Sequence, residues 1–278
     1  MPAPSYIDSH QHFWSVARGD YGWLTPELVK LYRDFCPNDL APLLSSAGVT
    51  QTVLVQAAPT LAETRYLLDL AQRTPFVAAV VGWIDMRAGD APDVIADLAR
   101  HPRFRGLRPM LQDIPDVAWI RDPRLRPALA ALTDHGLSFD ALVRPAHLSS
   151  VLEMMQRHPD LPVVIDHCAK PNIAAGQYGD WAQLLRAIAR DSTACCKISG
   201  LVTEAAPGAG LDVIRRYLDV LLECFGPHRL MWGSDWPVVT LACDYATWWE
   251  MTQRYLAQLD PAARTMILGE TARRFYRI

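Results

Sequence analysis

No stretch of the 278 residues approaches the ~18–20 consecutive apolar residues that cross a bilayer, so no membrane partner is expected. The opening MPAPSYIDSH has neither the basic segment nor the apolar segment of a secretory leader, which points to the cytoplasm. Runs of Lys or Arg are missing, and a net charge of -3 with an isoelectric point near 6.2 gives nothing to track a phosphate backbone, so nucleic acid is not an expected partner. The six cysteines (Cys36, Cys168, Cys195, Cys196, Cys224, Cys243) form neither a disulfide framework nor paired C-x-x-C zinc spacing, and most of them read as small buried residues in a reducing compartment. There is no G-x-S-x-G elbow and no phosphate-binding G-x-x-x-x-G-K-[ST] loop. Gly208-Ala209-Gly210 lacks the third glycine of a dinucleotide loop, Val213 standing in its place. Ser199 and Ser234 are therefore not favoured as nucleophiles.

What is present is a chain able to bury a sizeable core, half hydrophobic and 21% charged. Short β-branched runs alternate with longer amphipathic segments, the pattern of a parallel sheet covered by helices. Candidate strands are Tyr6–Asp8, Thr52–Ala57, Val77–Ile84, Gly106–Pro109, Leu137–Val143, Pro162–His167, Ala194–Ser199 and Leu230–Asp235. Helical periodicity marks Leu61–Arg73, Val94–Arg100, Pro127–His135, Leu148–Arg157, Trp181–Arg190 and Leu211–Cys224. Eight such βα units close a (β/α)8 TIM barrel, an α/β fold that routinely reaches this length as one domain. The first interval, Phe13–Ser46, reads as a long loop with a short helix over the top of the barrel. Cys243–Leu259 and Pro261–Tyr276 read as two closing helices. Nothing resembling a linker or repeat divides residues 1–278, so a single domain is expected.

Three phrases carry chemistry. In SHQHFW, His10 and His12 share a face at the end of the first strand, because alternate residues of a strand point the same way. In VVIDHCAKP the sixth strand runs into His167, and in LMWGSDWPV the eighth runs into Asp235. An acid seldom terminates so apolar a strand unless it binds or reacts. Barrel closure sets strand eight beside strand one, so His10, His12, His167 and Asp235 converge on the C-terminal mouth, where barrel active sites lie. Trp14, Trp23 and Trp236 fall where loops overhang that mouth, and Trp14 and Trp23 are candidates to face a sugar ring. Trp83, Trp232, Trp248 and Trp249 read as packing residues. Arg108 is expected to contact a substrate oxygen or to pair with an acid such as Asp140. Gln56, Arg144, Lys170 and Glu204 are further strand-end residues within reach of the mouth.

This constellation, together with the phrases GLRPMLQD, DHCAKP, KISGLVTEA and MWGSDWPV, resembles the amidohydrolase superfamily and its sugar-lactonase branch over nearly the whole chain. The resemblance implies hydrolysis of a sugar-derived lactone, of the L-fucono or L-rhamnono type, in L-fucose or related carbohydrate catabolism. It implies Asp235 as the base that activates water, His167 as its catalytic partner, and His10, His12, Trp14, Trp23 and Arg108 around the substrate. Binuclear members of the superfamily use a Lys or Glu after strand four and a His after strand five. Here those strands carry Arg108-Pro109 and Phe139, Asp140 and Leu142, so one zinc at most is expected, on His10, His12, His167 and Asp235. Four protein ligands would fill a tetrahedral shell, and a metal-independent lactonase is the alternative. Two other activities fit the same barrel, a metal-dependent decarboxylase of a conjugated acid and a sugar-acid-binding barrel without turnover. Stereochemistry, ring size and oligomeric state are left open by the sequence.

Overall fold

The computed structural model describes residues 5–278. Met1–Pro4, the start of the segment read above as free of a leader, lie outside the described residues. Strands β1 (Tyr6–Gln11), β2 (Val49–Val55), β3 (Val77–Gly82), β4 (Phe104–Leu107), β5 (Ser138–Ala141), β6 (Val163–Ile165), β7 (Cys195–Ile198) and β8 (Leu230–Trp232) form one parallel sheet in sequence order. The sheet curls on itself: the His12 N–H donates to the Trp236 carbonyl at 2.7 Å and the Asp235 N–H to the His10 carbonyl at 2.8 Å, bringing the end of β8 against β1. This is the expected α/β barrel. Helices α1 (Pro37–Ala47), α2 (Leu61–Gln72), α3 (Ala91–Ala99), α4 (Arg126–Asp134), α5 (Leu148–Arg157), α6 (Gly179–Asp191), α7 (Leu211–Phe225) and α8 (Tyr245–Leu256) follow the strands in turn. Among the described residues no helix is long and apolar enough to cross a membrane.

Alternation along the strands builds two cores. Val53 and Val55 of β2 point inward with Ile7, Ala79, Val81, Val164 and Met231, while Leu54 points outward to the helices. The last segment, α9 (Pro261–Thr265), a π-helical turn (Met266–Glu270) and α10 (Thr271–Tyr276), replaces the single helix expected over Pro261–Tyr276. It also stoppers the barrel, for Ala272 and Tyr276 belong to the inner core.

Two expectations are corrected. The helix of the first interval, α1, does not cover the mouth; it packs beside α8 in the outer ring, and the cover is the loop before it, tied by paired backbone bonds between Trp14 and Phe35 at 3.0 and 3.1 Å. Strands six and eight are shorter than read from sequence, ending at Ile165 and Trp232. Their C-terminal residues leave the ladder because His167, Cys168, Ala169 and Lys170 take φ of 50°, 54°, 60° and 48°, and Asp235 takes 58°. Left-handed backbone costs a residue with a Cβ about 1–2 kcal/mol, and such strain collects at functional sites.

Candidate active site

His12, His167 and Asp235 line a cavity of about 250 Å3 at the C-terminal mouth, together with Trp23, Arg108 and Lys170 among others, and the fully buried His10 packs against the rings of His12 and His167. The Asp235 Oδ1 lies 3.3 Å from His12 Nε2 and 3.8 Å from the Nε2 atoms of both His10 and His167. Two glycines make the convergence possible. A Cβ on Gly233 would stand 2.8 Å from the His10 Cβ, and one on Gly200, itself at φ 68°, would stand 2.8 Å from the His167 Cβ. Asp8 clamps the β1–β8 seam, its Oδ1 accepting the Ser234 N–H at 2.8 Å and the His10 N–H at 3.2 Å.

Electrostatics keeps the imidazoles neutral. Burial, reinforced for His10 by Lys197 and for His167 by His10 and Lys170, pushes both well below the ordinary histidine range. Burial likewise lowers His12. Burial alone would raise Asp235, but the His167 and His12 imidazoles and the Lys170 side chain outweigh it, and the net shift is downward, so the carboxyl stays ionised. The Nδ1 of His12 lies 2.8 Å from the Val55 carbonyl and its Nε2 lies 3.3 Å from Asp235 Oδ1, so the ring stands between a backbone acceptor and the carboxylate. His10, His12 and Asp235, and likewise His10, Asp166 and His167, bring ligand atoms within 4.8 Å of one another, so the floor offers two overlapping donor sets for one divalent cation, both containing His10.

Beneath the floor lies a charged column that sequence reasoning missed. The Lys197 Nζ, fully buried on β7, lies 2.7 Å from Asp140 Oδ2, 3.0 Å from Asp166 Oδ1 and 3.1 Å from His10 Nδ1. The Tyr276 hydroxyl donates to the same Asp140 oxygen at 2.6 Å, linking α10 to the floor. A lysine and an aspartate interrupting the apolar runs CCKIS and LSFDALV were the available signal, since charged groups are almost never fully buried unless paired.

The candidate binding residues divide. Trp23 lines the cavity and donates from Nε1 to the Ala57 carbonyl at 2.7 Å. Trp14 does not reach it: 1% exposed, it stands edge-on behind Trp23 and Phe35 and donates to the Arg33 carbonyl. Trp236 is likewise packed, against Phe13 and Phe35. Trp83, read as a packing residue, instead lines a neighbouring cleft of about 730 Å3 that shares Trp23 with the cavity. Arg108 borders the cavity as expected, but its acid is Asp166, with Nη1 to Oδ2 at 3.7 Å, because Lys197 already holds Asp140. The Arg108 Nη2 also donates to the Gln56 carbonyl.

The sequence profile of a family described as Amidohydrolase matches residues 7–278. The chain is 50% identical to an L-fucono-1,5-lactonase of Burkholderia ambifaria, over 98% of this chain and 95% of that one. It is 38% identical to an L-fucono-1,5-lactonase of Burkholderia multivorans, over 97% and 95%. Its fold superposes on a crystal structure of an amidohydrolase from Burkholderia multivorans with bound zinc at a TM-score of 0.94, 37% identity and 99% coverage of both chains. A barrel with His10 and His12 after β1, His167 after β6 and Asp235 after β8, matched by that profile from Ile7 to its last residue, belongs to the amidohydrolase family.

Proposed function

We propose that this chain is an enzyme that hydrolyses a sugar-derived lactone, of the L-fucono-1,5-lactone class, to the open-chain sugar acid. The observation that carries the reading is the convergence of Asp235 with His12 and His167, at 3.3 and 3.8 Å, in a cavity bordered by Arg108 and Trp23. Asp235 accepts a proton from water as the water oxygen bonds to the lactone carbonyl carbon, a general-base role worth ~10²–10⁴-fold. The displaced electron pair collects on the carbonyl oxygen, for which Arg108 at the cavity wall supplies N–H donors, worth roughly 10²–10³-fold. When the pair returns, the ring C–O bond breaks and the departing alkoxide takes the proton from Asp235. His167 shares the Asp235 oxygen and keeps the carboxylate aimed at the cavity. Trp23 offers a flat face to the C–H side of the sugar ring. Trp14 acts only through Trp23, against which it packs.

A bound zinc ion would be held by His10, His12 and Asp235, with His167 beside them, and would polarise the carbonyl as a Lewis acid. The same reading puts the reaction in the cytoplasm, in the breakdown of L-fucose, a use supported by the names of the two Burkholderia relatives.

The test is acid release in weak buffer from a panel of aldonolactones, L-fucono, L-rhamnono, D-arabinono and L-galactono among them. Release from L-fucono-1,5-lactone, lost in Asp235→Asn, is the expected result. No release from any lactone by folded, zinc-supplied protein would overturn the assignment.

A further inference from the structure

Val55 ends β2, and three carbonyls in a row at that point each face a side chain of the mouth. The Val55 carbonyl stands 2.8 Å from His12 Nδ1, the Gln56 carbonyl accepts from Arg108 Nη2, and the Ala57 carbonyl accepts from Trp23 Nε1 at 2.7 Å. A trans peptide is planar, with its N–H and C=O pointing opposite ways, so holding the N–H of one residue aims the carbonyl of the residue before it. The Gln56 N–H is still held by the sheet, donating to the Val81 carbonyl at 2.8 Å, and it aims the Val55 carbonyl. The next two N–H groups, of Ala57 and Ala58, have left the ladder and meet a single side chain, Glu63.

The Glu63 Oε2 accepts the Ala58 N–H at 2.8 Å, and the Ala57 N–H stands between Oε1 and Oε2 at 3.0 and 3.1 Å. Glu63 is fully buried in the first turn of α2. A glutamate at this place in a helix ordinarily reaches back to the N–H of the capping residue. That residue is Thr60, whose hydroxyl accepts the Glu63 N–H at 3.0 Å, but the Thr60 N–H donates to the Ala58 carbonyl at 2.9 Å. The Glu63 carboxylate passes the cap by and holds the two peptides whose far sides hold Arg108 and Trp23.

We propose that Glu63 is a positioning residue: through the Gln56–Ala57 and Ala57–Ala58 peptides it aims the Arg108 guanidinium and the Trp23 indole, both of which line the cavity. The inference rests on the reading that Arg108 meets the carbonyl oxygen of a lactone and Trp23 its sugar ring. The two arms then act on different quantities. A turned Ala57 carbonyl frees Trp23 and weakens binding, whereas a turned Gln56 carbonyl frees Arg108 and raises the barrier. Gln56 braces the same arginine again, its Nε2 donating to the Arg108 carbonyl at 2.7 Å, but that bond fixes the backbone and not the guanidinium.

The test is Glu63→Gln in the intact protein at pH 8, above the value of about 7 to which burial pushes the acid. Glutamine keeps the size and one acceptor but turns an NH2 group toward one of the two peptide N–H groups. In 1H–15N spectra of the tryptophan indoles, with Trp23 assigned by Trp23→Phe, the Trp23 signal should move and its proton exchange with water ~10-fold faster or more. The indoles of Trp181, Trp232 and Trp248, bonded elsewhere, should match the parent. For L-fucono-1,5-lactone, KM should rise ~10-fold and kcat fall ~10-fold, together the 10²-fold that ~1 Å of misplacement costs. Glu63→Asp, which keeps the charge but withdraws both oxygens by one methylene, should move the same signal and the same two constants. An unchanged Trp23 signal in either folded variant, an equal change at all four indoles, or parental KM and kcat would overturn the proposal. Rapid exchange of the Ala57 and Ala58 amide protons in the parent would overturn it whether or not a variant folds. A parent that turns over no lactone would sink the assigned reaction instead, and the indole signals, which need no lactone, would still decide whether Glu63 aims Trp23.

Discussion

Replacing Gly233 with Ala adds one methyl group where His10 leaves no room for it. The new Cβ would lie 2.8 Å from the His10 Cβ and 3.1 Å from the His10 nitrogen, both set by the β1 backbone and neither the end of a flexible side chain. Ordinary carbon contacts begin near 3.4 Å, so the floor must shift by roughly 0.6–1 Å, and overpacking of that kind costs about 1–3 kcal/mol. Gly233 does not have left-handed φ, so no backbone term adds to this. The same shift moves His10 from a position it holds with Lys197 at 3.1 Å, and a misplacement of ~1 Å in a catalytic array costs on the order of 10²-fold in rate. Thermal unfolding should therefore show a drop in Tm of roughly 2–12 °C for a chain of this size, at about 2–4 °C per kcal/mol. The rate of lactone hydrolysis at 25 °C, where the variant is folded, should fall about 100-fold. A variant with near-parental kcat/KM and lowered Tm would show that the Gly233–His10 contact is packing alone. Intact activity and intact Tm would refute the geometry.

Removing the Lys197 charge in Lys197→Met leaves Asp140 and Asp166 buried without their shared cation, and stability measured by denaturant should fall by about 3–5 kcal/mol. Trp23→Ala removes a face of the cavity while leaving Asp235 in place, so KM for the lactone should rise ~10-fold with kcat nearly kept. Tyr276→Phe, which deletes only the hydroxyl on Asp140, should lower stability by roughly 1–2 kcal/mol, read by urea titration. Burial pushes Glu63 up to about 7 from an ordinary 4.5, although its carboxylate accepts the Ala57 and Ala58 N–H groups. A raised carboxyl contributes stability that is complete below pH ~4.5 and is lost as pH rises through ~7, up to roughly 3 kcal/mol, and Glu63→Gln should flatten the stability profile over that window.

The barrel and the mouth were legible because both follow from local pattern. A β-branched run such as Thr52–Val55 announces its strand, and a strand end in a barrel announces its direction, so His10, His12, His167 and Asp235 could be brought together before any coordinates. What was not legible depends on register across the barrel. Lys197, Asp140, Asp166 and Tyr276 lie 31 to 136 positions from the partners they hold, and only the closed barrel brings their side chains together. Arg108 was matched with the wrong acid for that reason. Trp14 was read as a mouth residue because the sequence does not show that the loop carrying Trp23 folds back over it. Strand ends were overrun at β6 and β8 because nothing in the letters His167 or Asp235 marks a left-handed backbone.

The charge that keeps Asp235 ready also bears on what leaves the cavity. A lactone is neutral, and ring opening turns it into an anion beside a carboxylate that the surrounding imidazoles do not neutralise. Two like charges a few ångströms apart in a partly buried site repel by several kcal/mol at an effective dielectric near 20. Asp235 thus repels the acid the ring becomes while the Arg108 guanidinium at the cavity wall attracts it, so the hold on the product is set by the balance of the two charges.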